Sequence, residues 1–318
     1  MTKDRALWTF LASQLRTRKR AVLLVVAESH GSSPGRAGYK MAVAEDGELI
    51  GSIGGGVMEV NLVEQARALL SEAVGDLAPS LIEQEHRTNS DHPSGMICSG
   101  QQTILRLLID PGDLSIVEIA AGENAWLKIE DRTWGIYRAD LERSQRITFD
   151  RLSDGEFTYT EKLGPKNELI IVGGGHCALA LSELMSRMDF SIRIFDDRPE
   201  LNTLEKNAFA DDITIIENYR AIADHVRDGE NIYVVVMTLG YKTDEIAIRE
   251  LVGRRFEYFG VLGSKAKMAT LLRELKSEGF PQEQLDAIRA PIGIPINSRT
   301  PEEIAVSIAA EIISVKNS

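Results

Sequence analysis

The sequence predicts an α/β protein: an N-terminal α/β domain with mixed strands, followed by a doubly wound parallel sheet. Three observations carry this reading. From Glu168 onward, short apolar runs (ELIIV, SIRIFDD, ITII, IYVVVM, YFGVLG) alternate with amphipathic ones (CALALSELMSRM, TDEIAIRELV, KAKMATLLRELKSEG, PEEIAVSIAAEIISVK). Strand–helix alternation of this kind places helices on both faces of a parallel sheet. The first of these runs feeds three glycines at Gly173 to Gly175. Finally, 318 residues exceed what a single core usually holds, which implies two domains. We divide the chain into residues 1–112, a β-rich connecting region over 113–165, and residues 166–318.

Taken in order, Asp4 to Arg20 reads as an amphipathic helix, with Leu7, Trp8, Leu11 and Leu15 at helical spacing and RTRKR closing its last turn. AVLLVVA (Ala21 to Ala27) is a buried strand, followed by the loop ESHGSSPGRAGYK. MAVA and ELIGSI flank EDG, a hairpin signal. After Gly54 to Gly56, VMEVNLVEQARALLSEA is a helix, and QQTILRLLID is a half-buried strand before the turn at Pro111-Gly112. In the connecting region, WLKIEDRTWGIYRAD reads as a hairpin turning at Asp131-Arg132, and FTYTEKL as a further strand.

The formal net charge is -12 and the isoelectric point is ≈ 5.1, which disfavours a general nucleic-acid binder. An anionic ligand would need local backbone amides or a few placed cations. The N-terminal stretch lacks the apolar core of a secretory signal, and no run approaches the roughly 20 apolar residues of a membrane span. The two cysteines, Cys98 and Cys177, form no metal-type spacing. The expected compartment is the cytoplasm, with both thiols free.

Gly173-Gly174-Gly175-His176-Cys177-Ala178 fits G-x-G-x-x-A. The first glycine permits the tight turn, the second lets a pyrophosphate approach, and Ala178 allows close helix–strand packing. Asp196 and Asp197 end the next strand about 20 residues on, where ribose recognition would place an acid. The second domain is therefore Rossmann-like. His176 could contact a ligand or cap the helix. Ser264 is a candidate N-cap after Gly263, and Lys265 or Lys267 could meet an anion or stay solvated.

Beyond the glycine loop, several stretches together resemble the XdhC/CoxI family, accessory proteins for molybdenum hydroxylases such as xanthine dehydrogenase. In the first domain these are ESHGSSPGRAGYKM, GSIGGGVMEVNLVEQA and GMICSGQQTILRLLI. In the second they are GGGHCALALSEL with FDDRPE, VVVMTLGYKTDE, YFGVLGSKAKMATLLREL and APIGIPINSRTPEEIAVSIAAEI. The resemblance implies a protein that binds molybdenum cofactor, as molybdopterin or a dinucleotide form, assists its maturation, and inserts it into an apo molybdenum hydroxylase. A cysteine desulfurase is a further implied partner, and a homodimer is the expected assembly.

On this resemblance the cofactor-binding candidates in the first domain are Ser32, Ser33, Arg36, Lys40, Gly54, Gly55, Gly56, Glu59 and Cys98. In the second they are Gly173, Gly175, His176, Asp196, Asp197, Gly263 and Ser264. GSSPG and GSIGGG offer backbone amides to a phosphate-bearing ligand. A soft thiolate at Cys98 would suit molybdenum or its exchangeable sulfur. A buried, inert thiol is the alternative.

Some positions depart from the family pattern. Gly56-Val57 stands where many members carry a cysteine, Ser99-Gly100 follows Cys98 where the family has glycines, and Met237-Thr238-Leu239-Gly240-Tyr241 lacks both histidines of M-T-H-G-H. No catalytic residue is assigned. The alternative function is an NAD(P)-dependent oxidoreductase built on Gly173, Gly175 and Asp196.

Overall fold

The computed structural model describes residues 3–72, 77–85, 100–121, 125–138, 145–152 and 155–318. It divides into two units, Lys3–Gly164 and Pro165–Ser318.

In the first unit, α1 (Lys3–Arg16) leads into β1 (Ala21–Gly31), β2 (Lys40–Ala44), β3 (Leu49–Gly51), α2 (Gly56–Ser71), β4 (Ser80–Glu85) and β5 (Gly100–Ile109). These strands form an antiparallel sheet in the order β3-β2-β1-β5-β4. AVLLVVA is apolar without alternation because β1 is central and covered on both faces. Val22, Leu24 and Val26 pack with Leu62, Ala66 and Leu70 of α2. Leu23 and Val25 pack with Leu7, Trp8, Leu11 and Leu15 of α1.

Residues 114–162 belong to this same unit. They supply α3 (Leu114–Ala120), β6 (Trp126–Glu130), β7 (Trp134–Tyr137), β8 (Ile147–Arg151) and β9 (Phe157–Lys162). The four strands pair antiparallel in the order β7-β6-β9-β8. Leu127, Ile129, Phe157 and Tyr159 join the core under α1.

The basic run after α1 does not close its own helix. The helix ends at Arg16 because Arg18 takes a left-handed conformation (φ 61°), and the amides of Thr17, Arg18 and Lys19 fold back on the Gln14 and Leu15 carbonyls. Lys19 then pairs with Asp46, and Arg20 with Glu45. Arg20 also donates to the Leu70 and Glu72 carbonyls, satisfying the end of α2 rather than α1.

The second unit is regular: β10 (Asn167–Val172), α4 (His176–Met185), β11 (Phe190–Asp196), α5 (Asn202–Glu205), β12 (Asp212–Ile215), α6 (Ile222–His225), β13 (Gly229–Val236), α7 (Tyr241–Leu251), β14 (Phe256–Val261), α8 (Lys265–Ser277), α9 (Gln282–Asp286), β15 (Ile288–Arg289) and α10 (Pro301–Lys316). All six strands are parallel, in the order β12-β11-β10-β13-β14-β15. Ile170, Val172, Val234 and Val236 pack toward α7 and α8 on one face. Leu169, Ile171, Tyr233 and Val235 pack toward α4 and α10 on the other. That is the doubly wound architecture, and its strand order reverses between β10 and β13. α10 starts at a capping box, with Thr300 and Glu303 capping each other and Pro301 in the first turn.

Candidate functional site: two glycine-rich loop clusters

In the first unit, three glycine-bearing stretches converge at one end of the five-stranded sheet. A Cβ at Gly35 would stand 2.2 Å from the Ile53 carbonyl oxygen, one at Gly54 2.6 Å from the Gly35 amide, and one at Gly100 2.5 Å from the Ser33 amide. The loops GSSPG and GSIGGG and the start of β5 therefore touch backbone to backbone. Beneath them runs a buried polar chain: the Ser33 hydroxyl donates to Gln102 (2.8 Å), and the Gln102 amide donates to Gln84 (2.7 Å). Gln84 and Gln102 escape a reading by residue type, since a glutamine on a half-buried strand carries no site signal of its own.

The GSIGGG amides are not an open anion site. Glu59, in the first turn of α2, reaches back so that its Oε2 accepts from the amides of Ile53 and Gly55 (2.9 Å each) and from the Ser52 hydroxyl (2.7 Å). Burial would raise this carboxyl, but those hydrogen bonds win and hold it below the usual carboxylate range. Glu59 is thus the internal occupant of the loop.

Lys40 is not an available cation either. Its Nζ is buried, 2.6 Å from Glu161 Oε1 and 3.1 Å from Asp4 Oδ1, and it donates to the Gly38 carbonyl as well. Burial alone would lower its pKa, yet the two carboxylates hold the ammonium above its ordinary value. Ser32 and Arg36 remain on the exposed side of the GSSPG loop. Cys98 lies outside the described residues.

In the second unit the glycine loop sits at the switch point between β10 and β13. Gly173 (φ 110°) is pressed on the end of β13, where a Cβ would meet the Met237 carbonyl oxygen at 2.4 Å. Gly174 is covered by the Leu204 side chain, and a Cβ at Gly175 would meet nothing within 4 Å among the described residues. His176 is exposed at the start of α4.

Asp196 is fully buried, and it faces inward rather than toward a ribose. Its carboxylate accepts from the Gly174 amide (2.6 Å), from the Arg198 amide (2.9 Å), and from Arg198 Nε and Nη2 (2.8 and 2.7 Å). Burial would raise its pKa, but Arg198 and the two amides lower it. Asp197, the other member of the pair, is half-buried.

At the ends of β13 and β14, Asp244 accepts from the Thr238 amide and hydroxyl (2.9 and 2.6 Å) and lies 3.7 Å from Lys267 Nζ. Burial raises the Asp244 carboxyl. The Ser264 hydroxyl caps α8 by accepting from the Lys267 amide, while Gly263 lies against Met268. The spacing of Thr238 and Asp244, from the strand end to the first turn of α7, was a legible sign of this cluster.

Residues 169–312 match the XdhC Rossmann domain, and residues 14–77 match the XdhC and CoxI family. The chain is 24% identical over 294 residues to the uncharacterized protein YqeB of Escherichia coli K12, covering 92% of this chain and 43% of YqeB. It therefore spans less than half the length of that relative. It is 26% identical over 335 residues to a protein of Bacillus subtilis strain 168 named as a probable xanthine dehydrogenase subunit, covering 97% of each chain. A crystal structure described as a xanthine dehydrogenase from Bacillus halodurans shares the fold, with a TM-score of 0.71, 22% identity, and coverage of 100% of this chain and 96% of that one. The two family matches fall in both units and together span well over half of the sequence, and the chain belongs to the XdhC and CoxI family.

Proposed function

We propose that this protein is an accessory factor for a molybdenum hydroxylase of the xanthine dehydrogenase type, binding molybdenum cofactor and assisting its maturation and insertion. The observation that carries this reading is the family match in both units. It is supported by the end-to-end likeness to a relative whose name is that of a probable xanthine dehydrogenase subunit.

The residues fit the cofactor in part. Molybdopterin is anionic, and the GSSPG loop presents Arg36 and Ser32 outward, a cation and a hydroxyl suited to a phosphate. The neighbouring amide nest is filled by Glu59 and Lys40 is neutralised, so binding in this unit rests on the outer face of the loop. When bound, the cofactor brings its own metal chemistry. This chain's part is to hold the anionic tail and shield the group during transfer. Cys98 is the thiol that the proposal assigns to the sulfur exchange. The proposal includes a homodimer and a cysteine desulfurase as sulfur donor. Among the described residues no helix is long and apolar enough to cross a membrane.

The test is to measure binding of isolated molybdenum cofactor to the purified protein, and reconstitution of an apo-hydroxylase. Binding weakened by Arg36→Glu, with loss of reconstitution in Cys98→Ala, is the expected pattern. Wild-type protein that binds no cofactor above background rejects the delivery role.

A further inference from the structure

We infer that Tyr39 and Arg36, held together by one turn beside the GSSPG loop, form a two-point grip for a planar pterin ring and the anionic group attached to it. This rests on the cofactor reading above and names the side chain that meets the ring.

The backbone fixes the pair. Gly38 has φ 86°, and the Tyr39 amide donates to the Arg36 carbonyl (2.9 Å). Together these define a tight turn over residues 36–39 that needs a glycine at its third position. The Gly38 amide also donates to the Val26 carbonyl (2.9 Å), and the Val26 amide donates to the Tyr39 carbonyl (2.8 Å). Gly38 and Tyr39 therefore stand together opposite the single residue Val26, as a β-bulge with glycine in its first position. Bulges of this kind re-aim a side chain at the rim of a sheet. Lys40, the next residue, turns inward to Glu161. Tyr39 takes the opposite face, that of Val26 and Met41, over which α2 packs.

On that face the ring stays uncovered. Tyr39 is 46% exposed, and its hydroxyl makes no hydrogen bond among the described residues. Val57 and Val60, in the first turns of α2, are also exposed. The start of α2 is tied to the GSSPG loop, because Gly54 abuts Pro34 and Gly35. Exposed apolar side chains thus gather around this loop from two elements, as a ligand surface requires.

Charge supplies the second point. Lys40 is neutralised and the amide nest holds Glu59. Arg36 is exposed and makes no ion pair or hydrogen bond among the described residues. A guanidinium takes a phosphate or carboxylate by paired hydrogen bonds, and a phenol ring stacks on a flat heterocycle. A neutral ring engages Tyr39 alone, and inorganic phosphate engages Arg36 alone. A ring carrying an anion engages both.

The experiment follows the fluorescence anisotropy of pterin-6-carboxylate titrated with the full chain, with 6-methylpterin, inorganic phosphate and GMP as competitors. Wild-type protein should bind the probe, and 6-methylpterin and phosphate should each displace it. Affinity should stay within about twofold in Tyr39→Phe and fall about tenfold in Tyr39→Leu, which keeps an apolar side chain but removes the plane. Arg36→Gln should weaken binding and abolish competition by phosphate while leaving competition by 6-methylpterin. Melting temperatures of the three variants should match wild type, since both side chains are exposed. Unchanged affinity in Tyr39→Leu overturns the inference, as does phosphate competition that survives Arg36→Gln. GMP that binds more tightly than pterin-6-carboxylate overturns the pterin assignment. Wild-type protein that binds isolated molybdenum cofactor but not the probe removes the grip and leaves the cofactor reading standing. Binding of neither defeats both.

Discussion

The ammonium of Lys40 and the carboxylate of Glu161 meet at 2.6 Å with their side chains 2% and 1% exposed, and Tyr159 donates its hydroxyl to the far oxygen of the same carboxylate. The pair ties β2 to β9, so a charge couple rather than apolar area alone joins the two sheets of the first unit. Removing one partner leaves a buried charge without its counter-ion, a loss of about 3–5 kcal/mol. Lys40→Met should therefore lower unfolding stability in urea by that amount. Lys40→Met with Glu161→Leu should recover part of it. A single variant within about 1 kcal/mol of wild type would show that water reaches the site.

Loop packing gives a second expectation. Gly54 combines φ 131° with a Cβ position 2.6 Å from the Gly35 amide, whereas Gly175 has extended backbone and open space. Gly54→Ala should cost about 2 kcal/mol or more, and Gly175→Ala less than about 0.5 kcal/mol. Thermal melts of the two variants compare them directly. Equal losses would contradict the loop-on-loop contact.

The Glu59 closure of the nest carries a pH dependence. A carboxyl whose folded pKa lies below its unfolded value adds stability above the unfolded pKa and loses it as pH falls through the folded one. Glu59 is shifted in that direction. Glu59→Gln should cost about 1 kcal/mol at neutral pH, a small value because the carboxylate is partly exposed. The gap from wild type should close as pH drops below about 4. Paired melts from neutral to strongly acidic pH check this, and a gap that widens on acidification would reverse the assignment.

Arg198→Leu leaves the fully buried Asp196 carboxylate with backbone amides alone. The loss should reach about 3 kcal/mol, with Arg198→Lys intermediate because an ammonium cannot reproduce the two-pronged contact. Chemical denaturation of both variants measures the order.

The second unit was legible in the sequence because its strands and helices each carry a local signal. Apolar runs, glycine turns and capping residues lie next to the elements they define, and Ser264 and Thr300 cap α8 and α10. The first unit was harder because its decisive partners are remote. Glu161 is 121 residues from Lys40, and Gln102 is 69 from Ser33. No spacing rule links such positions, so Lys40 read as a free cation. Glu59 was closer to legible: it stands four residues after Gly55, within one helical turn, where a first-turn acid can reach back over the preceding amides. Asp196 has the position of a ribose acid, but Arg198 two residues on diverts it.

The placement of β1 at the centre of the five-stranded sheet also fixes an order of events during synthesis. Its hairpin with β2 closes across a short loop, but its other neighbour, β5, begins at Gly100, and on that side the partner of Ala21 is Ile109. At roughly 5–20 residues per second of translation, the inner edge of β1 stays unpaired for on the order of ten seconds. Throughout that interval AVLLVVA has one uncovered ladder of amides and carbonyls. The nascent chain is most exposed to mispairing there, before any glycine loop or ion pair exists to hold it.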